Sequence, residues 1–407
     1  MAKKTYDALI VGSGASGGWV AKELCERGLR VLMLEAGPPR IPTRDFTEHV
    51  WPYQLKFRGF GNTNRLLADQ PIQRLCYACD EYSHQFFVND HEHPYTFPAD
   101  KPFMWIRGRQ VGGKTFCWAR ESYRFSDYEF QAARRDGYGE DWPLSYKELE
   151  PYYDRVESFI GVSGSREGLE QFPDGKFLPP MNLSCGGRLA KKVIEEKFGW
   201  RVMPDRVANL TVEHNGRPAC HYCGTCQRGC HTASYFNSPS VTLPAAARTG
   251  RFTLVSDAVV SHVVMDENGK ARGVAYIDRT TRAAREAYAK VIVLAASTLE
   301  STRILLNYWF ETDHRLPNGT TFKYHRPQRE AIETLIYLYE VAKVRRHKNL
   351  VENYAGSKKH LRLLQFDEGL DERVTVHIFS NHPAAIREHS RISVYNSWFF
   401  CFLRDSV

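Results

Sequence analysis

Two groups of residues in this chain have types and spacing that could do chemistry. The first is Gly12-Ser-Gly14-Ala-Ser-Gly17, followed by Glu35. In a G-x-G-x-x-G turn the first glycine permits a tight bend and the second lets the backbone approach a pyrophosphate. The third lets a helix pack closely on a strand. The free N–H groups and dipole of the helix N-terminus then hold the phosphate charge. A carboxylate at Glu35 suits ribose hydroxyls and opposes a 2′-phosphate. The motif alone does not separate FAD from NAD. The second group is Cys220, Cys223, Cys226 and Cys230, a C-x2-C-x2-C-x3-C run with Gly224 and Gly229 available for tight turns. This is the ligand spacing of bacterial ferredoxin runs. A zinc held by four thiolates and unmetallated, buried thiols are the other two readings.

The elements that must position these groups follow from the apolar pattern. Ala8 to Val11 reads as a buried strand, and Trp19 to Arg27 as a helix with Val20, Leu24 and Cys25 on one face. Gly28 closes that helix and Arg30 to Leu34 is a second strand, giving a βαβ unit with Glu35 at its C-terminal end. Residues 44–100 have no sustained period and read as loop-rich cover; Cys76 and Cys79 lack the strand-then-helix context of a redox dithiol and are expected to be free. Gly108, Gly112 and Gly113 bracket Arg109, with Arg107 just outside, so this backbone can lie against something flat or anionic. No good strand precedes Gly-Gly-Lys-Thr, which argues against a nucleotide-triphosphate loop. Ser145 to Phe159 reads as a helix opened by a Ser145–Glu148 capping box, with Pro151 expected to kink or divide it and Gly161 to end it. Residues 162–183 read as a surface excursion and Arg188 to Phe198 as an amphipathic helix. Phe252 to Val264 and Gly273 to Ile277 read as a β-hairpin, and Lys290 to Ala296 as another buried strand before a helix.

Length and composition set bounds. With 407 residues there is room for two or three domains. Hydrophobic content of 43% and charged content of 25% are ordinary for a globular protein. No apolar run approaches the ~20 residues of a membrane span. Met-Ala-Lys-Lys runs straight into the first strand, so no signal peptide is expected and the expected compartment is cytoplasmic. A net charge of +8 suits an anionic cofactor without demanding nucleic acid.

The opening unit, then Arg107-Gly-Arg-Gln-Val-Gly-Gly-Lys-Thr115, Tyr123-Arg-Phe-Ser-Asp-Tyr128 and Gly139-Glu-Asp-Trp-Pro-Leu-Ser-Tyr146, resembles the glucose–methanol–choline oxidoreductases, and among them the bacterial FAD-dependent sugar and polyol dehydrogenases. The resemblance covers residues 5–307. It implies an α/β fold: a Rossmann-like FAD-binding βαβ domain, an incomplete, loop-rich cap or substrate region, and beyond them an extra, mainly helical C-terminal tail. The implied segments are 1–45 and 251–307 for the FAD-binding domain, 46–100 for the cover, 101–125 for a stretch along the FAD diphosphate and flavin side, 126–250 for the cap with the cysteine run, and 308–407 for the tail.

Its implied cofactor-binding residues are Gly12, Gly14, Ser16, Gly17, Glu35, Ala36, Arg107, Arg109, Gly112, Gly113, Val259, Val260, Ala295, Ala296 and Ser297. The pair Val259–Val260 would meet adenine, and Ala295 to Ser297 would close over the dinucleotide. Cys220, Cys223, Cys226 and Cys230 would be ligand candidates for an iron–sulfur cluster that passes electrons to an acceptor protein. The implied reaction is oxidation of a CH–OH group of an alcohol or sugar, with hydride passing to FAD. Lys114-Thr115 and Cys117-Trp118 depart from the family's usual residues.

No segment matching the family's C-terminal catalytic histidine pair is found, so no catalytic residue is assigned. The chain is therefore expected to be a truncated member that binds FAD weakly and turns over no alcohol. The tail carries the helix-forming Glu330 to Val344 and a short resemblance to restriction-type helicases at Trp309 to His314 and from Tyr324, without a phosphate loop. Two alternatives stand beside the main reading. One is an NAD(P)-linked reductase on the same opening motif; the other is a nucleic-acid-associated module in residues 308–407, although the tail is too balanced in charge for a dedicated nucleic-acid arm.

Overall fold

Six strands form one mixed sheet: β1 (Thr5–Val11), β2 (Val31–Leu34), β3 (Phe252–Val255), β4 (Ala258–Met265), β5 (Ala271–Asp278) and β6 (Ala284–Leu294), in the spatial order β3-β2-β1-β6-β5-β4. The chain is described here from a computed structural model covering residues 5–55, 63–137, 139–267, 269–311, 314–315 and 321–322. β1 pairs in parallel with β2 and β6, and β2 in parallel with β3. β4, β5 and β6 are joined antiparallel. Parallel strands covered by helices must be apolar throughout. The runs Ala-Leu-Ile-Val of β1 and Val-Leu-Met-Leu of β2 meet that need, since all eight residues are buried.

Helix α1 (Ala15–Glu26) lays Val20, Ala21 and Cys25 onto Ala8, Ile10, Val31 and Met33. Burying a side chain such as Ile10 or Met33 stabilises the fold by about 1.5–3 kcal/mol. The helix begins four residues before the expected Trp19, because Gly14 already adopts the extended N-cap conformation.

Two expectations need correction. Phe252 to Val264 is not one strand. Asp257 adopts a left-handed φ of 54°, which breaks the run. Phe252–Val255 joins β2 in parallel, whereas Ala258–Met265 forms the expected hairpin with Ala271–Asp278. The last strand also starts earlier than expected and ends at Leu294. The second concerns Pro151, expected to kink or divide its helix: it lies inside the continuous helix Tyr146–Ile160, so it does not divide it. The ring removes one bond, to the carbonyl of the exposed Lys147, where water can replace it. The capping box of Ser145 and Glu148 and the left-handed C-cap at Gly161 form as expected.

The cover over residues 44–100 is mainly irregular, with the helix Thr63–Asp69 an unanticipated exception. The amphipathic helix Cys185–Phe198 begins at a Ser184 cap and buries none of its residues. In the cap, Arg124 is 2% exposed, with its guanidinium on Glu157 at 2.5 Å, on Asp154 at 2.6 Å and on the Tyr146 hydroxyl at 2.9 Å. Among the described residues, no helix is long and apolar enough to cross a membrane. Thr302–Val394 forms a second unit. Its described part is the end of the helix Thr298–Glu311 and a short antiparallel pair, His314–Arg315 with Thr321–Phe322. The expected helix Glu330 to Val344 and the helicase-like stretch from Tyr324 lie outside the described residues.

Candidate functional site: a dinucleotide cradle at the first helix

The glycines of the opening turn divide by what surrounds them. A Cβ on Gly12, at φ 98°, would lie 2.5 Å from the Ala295 carbonyl oxygen, and one on Gly17 would overlap the Gly12 carbonyl oxygen. Both glycines are therefore needed by the fold itself. Gly14 is different, because a Cβ there would meet nothing within 4 Å. The backbone at the mouth of α1 is thus bare on one side. The first helical bond runs from the Gly18 N–H to the Gly14 carbonyl at 2.9 Å, so the amides before Gly18 fall in the first turn, where no intrahelical partner exists. Ser16 lies in that turn.

Glu35 sits at the end of β2, 7% exposed. Its Oε2 accepts from the Ser13 N–H at 3.0 Å and the Ser13 hydroxyl at 2.6 Å, and its Oε1 accepts from the Gly37 N–H at 3.0 Å. Burial pushes its carboxyl above the ordinary carboxylate value, opposed by these hydrogen bonds and by the Arg109 charge. A carboxylate has about four acceptor positions, so three bonds leave capacity for a hydroxyl. The carboxylate therefore fixes the glycine turn, a part the sequence did not suggest. Ala36 follows it into the turn before Gly37, whose Cα packs against the Arg109 carbonyl.

The glycine-rich segment 108–113 crosses the same place. The Gly112 N–H donates to the Ser13 hydroxyl at 2.9 Å, and a Cβ on Gly113 would lie 3.7 Å from the Gly14 Cα. Gly112 needs its φ of 93°, and Pro239 closes over it. The two arginines separate. Arg109 pairs with Glu300 at 3.0 Å. The Arg107 guanidinium is buried in the cover, over Trp105 at 4.5 Å and Tyr95 at 5.0 Å, donating to the His93 carbonyl and 3.7 Å from Asp90. After Gly113 comes a short 3-10 turn, Gly113–Phe116, not the long helix of a nucleotide-triphosphate loop.

The second half of the chain supplies two more walls. The Ala295 N–H bonds the Val11 carbonyl at 2.8 Å, which holds Ala295 and Ala296 beside Gly12; Ser297 follows in a left-handed conformation, φ 71°. The break between β3 and β4 straddles Glu35: its N–H bonds the Val255 carbonyl and its carbonyl accepts from Ala258, each at 2.9 Å. Val259 and the buried Val260 are thereby carried to the acidic end of β2. Sequence reasoning missed Ser13, Ser238 and Glu300. Ser238 donates from its hydroxyl to the Gly14 carbonyl at 3.0 Å and from its N–H to Thr115 at 3.2 Å, tying three segments together. A serine between two glycines was the visible signal for Ser13; nothing marked Ser238.

The cysteine run does not gather its four sulfurs around a single ion. Among the described residues, no three of Cys220, Cys223, Cys226 and Cys230 bring their sulfurs within 4.8 Å of one another. A tetrahedral four-sulfur zinc site would need sulfurs about 3.8 Å apart, so that reading does not fit. Cys223 turns away, donating to Glu48 Oε1 at 3.2 Å. Burial raises Cys220 above its ordinary thiol value, and the nearby Cys226 and Cys230 add to the rise. Elsewhere Cys76 and Cys79 are free, and burial pushes Cys79 up to about 12.

The family model described as GMC oxidoreductase matches residues 6–325, eighteen residues beyond the expected end at 307. The chain is 29% identical over 309 residues to the 2-methyl-1,2-propanediol dehydrogenase of Mycolicibacterium austroafricanum, covering 74% of this chain and 50% of that protein. It is 27% identical to the fructose dehydrogenase large subunit of Gluconobacter japonicus, covering 77% and 55%. It is also 27% identical to the 6'''-hydroxyparomomycin C oxidase of Streptomyces lividus, covering 75% and 50%. The chain thus spans about half the length of the curated relatives it matches. By this match, the chain belongs to the GMC oxidoreductase family.

Proposed function

We propose that the chain binds FAD at the mouth of α1 and serves the oxidation of CH–OH groups in alcohols or sugars. The observation that carries this is Gly14: a bare helix mouth, open where a Cβ would stand, between Gly113 and the carboxylate of Glu35. The diphosphate would lie on the first-turn amides from Ala15 to Gly17, with the Gly112–Gly113 backbone beside it. Glu35 would give its remaining acceptor capacity to the ribose, where a 2′-phosphate would be repelled. Val259 and Val260 would face the adenine, and Ala295, Ala296 and Ser297 would close the far side. Arg109 would add positive charge, while Arg107, already engaged in the cover, would stiffen the segment that carries Gly108 to Gly113.

Bound flavin supplies the hydride acceptor for alcohol oxidation. No residue of this chain is assigned as the base. The relatives' names, a propanediol dehydrogenase and a fructose dehydrogenase subunit among them, support a small polyol or sugar as substrate. Cys220, Cys226 and Cys230, the three thiols that remain when Cys223 turns to Glu48, are the proposed ligands of an iron–sulfur cluster serving an acceptor protein.

A single preparation tests both parts. Kept anaerobically in excess FAD, the full chain should bind flavin, weakly but saturably, and visible absorbance should survive flavin extraction with matching iron and sulfide. Clearly substoichiometric iron would remove the cluster. Absence of saturable flavin binding would remove the cofactor reading. Without an assigned base, the FAD-loaded chain alone should not reduce dye with a panel of sugars and polyols, and reduction would show a base that went unassigned.

A further inference from the structure

Glu48 is a buried carboxylate in unusual company. Its side chain is 1% exposed, yet the groups around it are three imidazoles and a thiol. Oε2 lies 3.1 Å from His231 Nδ1 and 3.4 Å from His49 Nε2, and it accepts from the His231 backbone N–H at 2.9 Å. The three donor atoms of Glu48, His49 and His231 all fall within 4.8 Å of one another. A buried carboxylate needs hydrogen bonds or a cation to compensate it, and the imidazole nitrogens beside Glu48 offer a cation further donors.

Packing independent of these side chains already fixes their spacing. The Thr47 N–H bonds the Arg228 carbonyl at 2.9 Å. Phe46 fills the space over Gly229 and meets the His231 ring edge-on at 5.5 Å. The two ligand-bearing segments, far apart in sequence, are thus clamped together on either side of the donors.

We propose that Glu48 Oε2, His49 Nε2 and His231 Nδ1 form a mononuclear site for a divalent transition ion of the zinc class, distinct from the cysteine run. Metal–donor bonds of about 2.0–2.1 Å in tetrahedral array place donors about 3.3 Å apart. The observed 3.1 and 3.4 Å bracket that edge. The set is one carboxylate and two imidazoles, which suits zinc. His49 is 61% exposed, so the fourth position opens to solvent and would hold water. The ion would lock residues 46–49 to the cysteine-bearing loop.

The test uses the chelator-stripped full chain titrated with Zn2+ alone by calorimetry, and with Co2+ for its spectrum. The expected result is one ion per chain, with cobalt d–d bands and no sulfur-to-metal charge transfer. His49→Ala, at an exposed ring, should weaken Zn2+ at least tenfold; Glu48→Gln should weaken it further. Cys220→Ser and Cys226→Ser should leave it unchanged. No saturable binding, unaltered affinity in H49A, or a cobalt–sulfur band lost in C220S would each overturn the proposal.

Discussion

Substituting Gly14→Ala separates the fold's need for a glycine from a ligand's need. At Gly14 the backbone has φ −65° and ψ −161°, which alanine adopts, and the added methyl meets no protein atom within 4 Å. Ligand-free stability should therefore change by no more than about 0.5–1 kcal/mol, with the reduced freedom of the unfolded chain favouring a gain. On the proposed reading, the methyl stands where the diphosphate approaches the first-turn amides. Losing one charge-assisted hydrogen bond costs about 1.5–3 kcal/mol, which is roughly 10–150-fold in Kd. Gly17→Ala is the contrasting control: its methyl would collide with the Gly12 carbonyl oxygen, and ligand-free stability should fall by more than about 2 kcal/mol. Flavin fluorescence quenching gives the Kd, and urea unfolding gives the stability. If G14A binds FAD as tightly as the native chain, or loses as much ligand-free stability as G17A, the assignment of the helix mouth is wrong.

Three further outcomes follow from the same packing. Arg124→Met leaves Glu157, 5% exposed in its side chain, without its cation, and should cost about 3–5 kcal/mol in urea unfolding; the double change with Glu157→Gln should recover part of it. Burial, then the charges of Arg109, Arg279 and Arg107, holds His93 down to about 4 from 6.5. Because the folded chain keeps this ring neutral, its contribution is complete above pH 6.5 and is lost as pH falls towards 4; the urea midpoint should decline across that window, and less so in H93Q. Gly229→Ala adds a Cβ 2.5 Å from Phe46 Cδ1 at a φ of 88°, so it should cost about 1–3 kcal/mol and weaken Zn2+ binding at Glu48.

The opening βαβ unit was legible because its glycines recur at the spacing of a tight strand-to-helix turn, Gly12 and Gly17 being sterically required, and both strands are short apolar runs. The other proposed walls rest on resemblance alone, since Val259–Val260 and Ala295 to Ser297 are ordinary strand and turn by composition. What the sequence concealed was of three kinds. An unbroken β-branched run hid the turn at Asp257, so two strands with different partners read as one. Pro151 implied a break that an exposed carbonyl made unnecessary. Ser238, Glu300 and the grouping of Glu48 with His49 and His231 depend on contacts between distant segments, and no local pattern records those. The contact of Cys223 with Glu48 Oε1 at 3.2 Å, between segments 175 residues apart, is of the same kind.

The central claim is that this chain cradles the diphosphate of FAD on the bare end of its first helix. Titrating the purified full chain with FAD in the presence of excess NADH tests it most directly. The account predicts saturable binding of one FAD per chain, unmoved by NADH and by NADPH. Absent saturation, or equal displacement of FAD by nicotinamide nucleotides, would contradict it.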